Sequence, residues 1–153
     1  MRSVIRMSEA TALGLHAMAA IAEGSRGDTG GLLTVHAMAE SLDASANHLS
    51  KVLQRLSHGG LVRAVRGPGG GYALAQPASE ISLLDIYELF EGSLVLSGCL
   101  FSDSACKRSV CIMGGLIDRV NDEVRDYLKH TTLDTLAQQG CITDLRETKA
   151  TAP

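Results

Sequence analysis

Apolar positions recur along this chain with two periods, and the changes between them mark its elements. Over 8–23, Ala12, Leu15, Met18, Ala19 and Ala22 follow the i, i+3, i+4 spacing of an amphipathic helix, with Ser8 placed to cap it and Gly24 to end it. The segment 24–31, rich in glycine and polar residues, predicts a flexible loop. Thr34 then caps a short helix over 35–42 that packs through Val35, Met38, Ala39 and Leu42. After a three-residue break, Ser45 caps a further helix over 46–58. Its apolar stripe is Leu49, Val52, Leu53 and Leu56, and its opposite face shows Asn47, His48, Ser50, Lys51, Gln54 and Arg55.

Gly59 and Gly60 stop this helix, and the period shortens to two. Two short alternating segments, 61–66 and 72–75, flank a turn of four glycines and a proline, which is a hairpin signal. The arms carry Arg63 and Arg66 and no acid, so the hairpin suits an anionic target. Short helix, tight turn, second helix with a basic-polar face, then hairpin is the order of a winged helix-turn-helix. In that arrangement the polar face of the second helix enters the major groove of DNA. A Gly-rich tip brings backbone N–H groups close to phosphates or to the minor groove. The DNA-contacting residues expected on this basis are Ser45, Asn47, His48, Ser50, Lys51, Arg55, Arg66, Gly69, Gly70 and Tyr72.

Beyond the hairpin, Ser82 and Asp85 form a capping pattern for a helix over 83–91, closed by Gly92. The stretch 93–112 looks irregular. A long amphipathic helix follows over 114–130, with Leu116, Ile117, Val120, Val124, Tyr127 and Leu128 on one stripe. Such a stripe outside a small domain calls for a partner. A symmetric dimer reading two half-sites of a palindromic operator would supply one, and packing on the chain's own first helix is the alternative. Thr132 caps a last helix to about Gln139, and the polar tail 141–153 is expected to be disordered. The fold class expected is mostly α with a small β-hairpin. Its parts are a winged helix-turn-helix domain (1–80), a linking helix and cysteine loop (81–113), and a dimerisation helix with a C-terminal helix (114–140).

Charge adds to this picture through its distribution rather than its total. The formal net charge is −3, yet residues 1–79 hold seven Lys/Arg against five Asp/Glu while 80–153 hold seven against twelve. Between Ala44 and Ser79 stand Lys51, Arg55, Arg63 and Arg66 and no acid at all. A local basic face on an acidic protein is the footprint of a specific anionic site. Aromatics are scarce and Trp is absent, which argues against stacking platforms for single-stranded nucleic acid. No apolar run reaches membrane-spanning length, and the first residues lack the apolar core of a signal peptide, so a cytoplasmic protein is expected.

Three cysteines, Cys99, Cys106 and Cys111, give C-x6-C-x4-C on the irregular stretch, and Cys141 stands apart. In a reducing compartment such thiols are metal ligands or redox groups rather than structural disulfides. Thiolates suit an iron–sulfur cluster or zinc, and Lys107 and Arg108 favour the thiolate form. A fourth ligand is not evident nearby. His16, Glu9 and Cys141 are the candidates elsewhere, with His16 foremost. A thiol–disulfide switch is the remaining use of such a loop.

With hairpin and cysteine loop together, the chain resembles the IscR/NsrR family of bacterial transcription regulators, also called the Rrf-two family. The resemblance is carried by Leu15-His16-Ala17-Met18, by Gly60-Leu61-Val62 and by Val65-Arg66-Gly67-Pro68-Gly69-Gly70-Gly71-Tyr72. Ile81-Ser82-Leu83-Leu84-Asp85, Glu91-Gly92 and the three cysteines complete it. It implies a homodimeric regulator whose cysteines hold a 2Fe–2S or 4Fe–4S cluster, with iron, oxygen, nitric oxide or redox poise as the signal. The match has departures. IscR-type proteins have a His three residues after the last cysteine, where this chain has Gly114. NsrR-type proteins can use an acid in the first helix where this chain has Ala12. The x6/x4 spacing differs from the x5/x5 of IscR, and a Glu that helps IscR select its sites aligns with Ser50, which implies a different operator. A winged-helix regulator with zinc or a disulfide switch is the first alternative, and an iron–sulfur assembly or redox protein that does not bind DNA is the second. No C-x-x-C, phosphate loop or nucleophile constellation supports the second, so no enzymatic activity is expected.

Overall fold

The computed structural model describes residues 7–26, 31–96 and 111–140. The chain runs α1 (Glu9–Gly24), α2 (Val35–Ser41), α3 (Ala46–His58), β1 (Val62–Val65), β2 (Gly71–Leu74), a 3-10 turn (Ala78–Glu80), α4 (Leu83–Glu91), α5 (Leu116–His130) and α6 (Leu133–Gln139). The five capping residues expected from the sequence all take their places. Ser8, Thr34, Ser45, Ser82 and Thr132 each accept a hydrogen bond from the backbone N–H three residues on. Each such cap stabilises its helix by about 1 kcal/mol. At α4 the cap is a reciprocal box, in which Asp85 also accepts from the Ser82 N–H at 2.8 Å.

Helix α1 buries more than its expected stripe. Ala17, Ala20 and Ile21 are buried along with Met18, Ala19 and Ala22, whereas Ala12 and Leu15 are only half-buried. It is a central helix, with α3, α4, α6 and β2 packed around it. Its run of small residues lets those neighbours come close. At Gly14 a Cβ would stand 2.6 Å from Cε2 of Phe90 on α4. Met18, Ile21, Met38, Leu49, Leu53, Leu56, Ile81, Ile86 and Leu133 complete the fully buried core.

Between α2 and α3 the chain turns through Asp43, the one non-glycine residue with positive φ (47°) among the described residues. Asp tolerates that conformation better than most side chains. Helix α3 buries the stripe read from the sequence, Leu49, Val52, Leu53 and Leu56. It ends in a paired motif, with the Gly60 N–H on the Ser57 carbonyl and the Leu61 N–H on the Leu56 carbonyl, both at 3.0 Å. Gly60, at φ 74°, supplies the left-handed residue that this motif requires.

The antiparallel hairpin pairs Val62 with Leu74 and Val65 with Gly71. Its β2 edge is covered by Leu33, in the short segment just before α2. The Tyr72 N–H donates to the Leu33 carbonyl at 2.8 Å, and the Leu33 N–H donates to the Tyr72 carbonyl at 3.1 Å. This pairing explains Gly71, where a Cβ would stand 2.6 Å from the Leu33 carbonyl oxygen. A second short bridge joins Ser82 to Thr132, so the start of α4 is laced to the junction of α5 and α6.

Helix α5 begins at Leu116, two residues later than the spacing predicts, because Gly114 and Gly115 both adopt positive φ. Only Leu128 of its stripe is buried, while Leu116 and Tyr127 remain 43% and 58% exposed. Its contacts with the rest of the described chain are chiefly with α4, while α6 packs on α1. The tail 141–153, Cys99, Cys106 and Cys141 lie outside the described residues.

Candidate nucleic-acid interface

The exposed side of α3 carries Asn47, Lys51 and Gln54 in one row, at the i, i+4, i+7 spacing that puts side chains over one another. Ser50 and His48 flank the row and are half-buried. Ser45 is occupied as the cap, its hydroxyl accepting from the His48 N–H at 3.4 Å. The His48 ring faces α1, with Nδ1 3.8 Å from a Glu9 carboxylate oxygen, a pair that attracts only when the imidazole is protonated.

Arg66 and Gly69 are exposed at the hairpin tip, where Gly67 and Gly69 take positive φ (107° and 74°). Gly70 closes the turn by donating to the Gly67 carbonyl at 2.9 Å, and a Cβ there would stand 2.3 Å from the Val65 carbonyl oxygen. Tyr72 is half-buried against the core, and both its backbone groups are taken by Leu33. Lys51 and Arg66 make no ion pair among the described residues. Unpaired cations on exposed backbone are what a phosphate contact requires.

Arg55 is placed differently from its neighbours. Its Nη2 donates to the Phe90 carbonyl at 3.4 Å, and its guanidinium lies 5.1 Å from the centre of the Phe90 ring. The next residue, Glu91, accepts from the Ser8 N–H at 2.8 Å and from the Thr11 hydroxyl. The hydrogen bond from Thr11, then those from Ser8, then the charge of Arg55 hold its carboxyl down at about 2. Phe90 was not singled out from sequence, and Glu91 entered only as part of the family resemblance, with no role assigned to it. Their partners lie 35, 80 and 83 residues away, a separation that leaves no periodic signal.

Of the proposed metal ligands, Cys111 is a free, exposed thiol just ahead of α5. His16 is exposed on α1, with Nδ1 2.7 Å from the Ala12 carbonyl. That contact assigns the proton to Nδ1 and leaves the Nε2 lone pair outward, the form in which an imidazole ligates a metal. His16 borders a cleft of about 350 Å³ shared with Glu9, Asp43 and His48. No group of three His, Cys, Asp or Glu side chains is gathered around a common point among the described residues. No helix is long and apolar enough to cross a membrane among them.

Two helices joined by a tight turn and followed by a wing define a winged helix-turn-helix protein, a class of transcription regulators rather than of enzymes. A family model described as Rrf2, iron-dependent transcriptional regulator, matches residues 7–139. The chain belongs to the Rrf2 family. It is 27% identical over 137 residues to the HTH-type transcriptional regulator IscR of Pectobacterium carotovorum, covering 90% of this chain and 84% of that one. Among solved structures it is similar to CymR, the global cysteine regulator of B. subtilis, with a TM-score of 0.73 and 26% identity, covering 89% of this chain and 98% of that one. It is also similar to Staphylococcus aureus CymR, with a TM-score of 0.67 and 34% identity over 86% of this chain and 97% of that one. The latter protein has been solved in an oxidised form as well.

Proposed function

We propose that this regulator is a homodimer that reads a palindromic operator and whose affinity for it is set by an iron–sulfur cluster on Cys99, Cys106 and Cys111. The DNA-facing part is supported by one observation above others. Lys51 and Arg66, without an ion pair among the described residues, lie exposed on α3 and at the tip of the glycine hairpin, the two places a winged helix offers to the groove and its flanking phosphates. Asn47 and Ser50 would then reach base edges, and the bare backbone at Gly69 would approach the adjoining minor groove. The exposed Leu116 and Tyr127 of α5 support the dimer.

The donor set fits a cluster in its chemistry. Three thiols, of which Cys111 is free and exposed, match the soft ligands that iron–sulfur clusters take, and His16 presents an open Nε2 as a fourth. When bound, such a group supplies a charge and a bonding geometry that change with iron supply, oxidation or nitric oxide. The cysteines hold it and His16 completes it. The rest of the chain contributes only the difference in its interaction with two DNA-binding states. A second reading, a thiol–disulfide switch in the same loop, is favoured by the exposed free Cys111 and by the oxidised form solved for a CymR relative.

Anaerobic purification with an absorption spectrum and counts of iron and acid-labile sulfide tests the cluster. A brown protein with visible charge-transfer bands supports it. A colourless protein whose thiols titrate reversibly overturns it in favour of the disulfide, and a colourless one containing zinc overturns both. A gel shift on the protein's own upstream region, alongside unrelated DNA, tests the operator.

A further inference from the structure

We propose that Arg55 and Glu91 are positioning residues for DNA binding, clamping α3 and the start of α1 onto the last turn of α4. Three helix ends meet there, and the charges are matched to them. The Phe90 carbonyl is among the last four of α4 and has no partner within that helix, and the Arg55 guanidinium on α3 donates to it at 3.4 Å. The first N–H groups of α1 carry the positive end of a helix dipole, and the Glu91 carboxylate sits beside them, accepting from the N–H of the cap residue Ser8 and from the Thr11 hydroxyl. A cation from α3 thus closes the end of α4, and an anion from α4 closes the beginning of α1. Between the two, Phe90 is buried with its ring under the guanidinium and against Gly14.

The geometry separates Arg55 from the other basic residues of this face. Lys51 and Arg66 have no ion-pair partner among the described residues, whereas Arg55 gives one of its donors to the end of α4 and lies over the Phe90 ring. What Arg55 contributes to DNA binding is therefore the angle at which α3 leaves the body of the protein. Glu91 does the same for α1, on which α3 packs. Gly92 (φ 84°) follows Glu91 at once, and Cys99 and Cys106 come only a few residues later in the sequence, so this clamp stands close to the cysteines along the chain.

The roles require α3 to lie on DNA, as in the function proposed above, and the experiment separates the two. Operator affinity is measured over a range of salt for Arg55→Ala, Arg55→Lys and Glu91→Ala, with Lys51→Ala alongside. A phosphate contact loses about one unit of slope when removed. Arg55→Ala and Glu91→Ala should each weaken binding about tenfold with the slope of the unaltered protein, as loss of a charged hydrogen bond that orients the helix would do. Arg55→Lys keeps the charge but not the planar group over Phe90, and it should stay weak.

Loss of a full unit of slope in Arg55→Ala, restored by Arg55→Lys, would make Arg55 a phosphate contact and overturn the proposal. So would unchanged or tighter binding by Glu91→Ala, which is what a bystander acid near DNA would give. If Lys51→Ala leaves both affinity and slope unchanged, α3 is not on DNA and the positioning roles fall with it. Circular dichroism identifies any variant that does not fold, in which case Arg55→Lys and Glu91→Gln, which keep most of the packing, carry the test.

Discussion

Single residues in this protein divide into those that hold the fold and those left free for a partner. Lys51 and Arg66 are free, exposed and without an ion pair among the described residues. Replacing either with Ala should weaken operator binding and lower its salt slope by about one unit each, measured by fluorescence anisotropy from low to physiological salt. Changing Asn47 or Ser50 should instead alter which sequences are preferred. Glu91 belongs to the first group. Its carboxyl is lowered from 4.5 to about 2 because Thr11 and Ser8 donate to the ionised form. A depressed carboxyl contributes stability that is fully present above its unfolded value and is lost as pH falls through the folded one. The native protein should therefore lose stability as the pH drops from about 4.5 toward 2, and Glu91→Gln should flatten the melting temperature over that window. Equal acid sensitivity in both proteins would show that these hydrogen bonds do not hold the ionised carboxylate.

At the scale of elements, what could be read from sequence was local and what could not was distant. Caps at Ser8, Thr34, Ser45, Ser82 and Thr132 and the stripe Leu49–Val52–Leu53–Leu56 are set by neighbours within a turn or two, so spacing reveals them. The exposed polar row on α3 is legible for the same reason, being the complement of that stripe. The burial of α1 on nearly all sides was not legible, because alanines score as a weak stripe whether or not a second layer covers them. Nor was the pairing of Leu33 with Tyr72, which makes Gly71 a requirement of close backbone approach rather than of the turn. Helix α5 lies between these cases: its stripe is plain in the sequence, but only Leu128 is buried within the described chain, with Val124 half-buried against the core. If Leu116 and Tyr127 meet a second copy, Leu116→Glu with Tyr127→Glu should turn a sedimenting dimer into a monomer and keep the helical circular dichroism. A dimer that survives both changes would place its interface elsewhere.

At the scale of the whole molecule, the sensing proposed for the cysteines would have to cross from the segment between α4 and α5 to the face of α3. The described contacts offer a short route. The end of α4 carries Phe90 and Glu91, which touch α3 through Arg55 and α1 through Thr11. The start of α4 is laced to the α5–α6 junction through Ser82 and Thr132. Helix α4 is thus held at both ends, and under the proposed mechanism a small displacement of the chain beyond Gly92 would act on α1 and α3 through it. The energy required is modest, since a tenfold change in operator affinity corresponds to about 1.4 kcal/mol of difference between the two states. Removing a ligand should therefore silence the signal without unfolding the protein. Cys106→Ala should lose its iron, keep its helix content and oligomeric state, and bind the operator with one affinity whether it is prepared anaerobically or exposed to oxidant. The unaltered protein should show two. A Cys106→Ala protein that retains a full complement of iron would remove these cysteines from the sensing site. One that has lost its iron yet still shows two affinities would mean that the signal enters somewhere else.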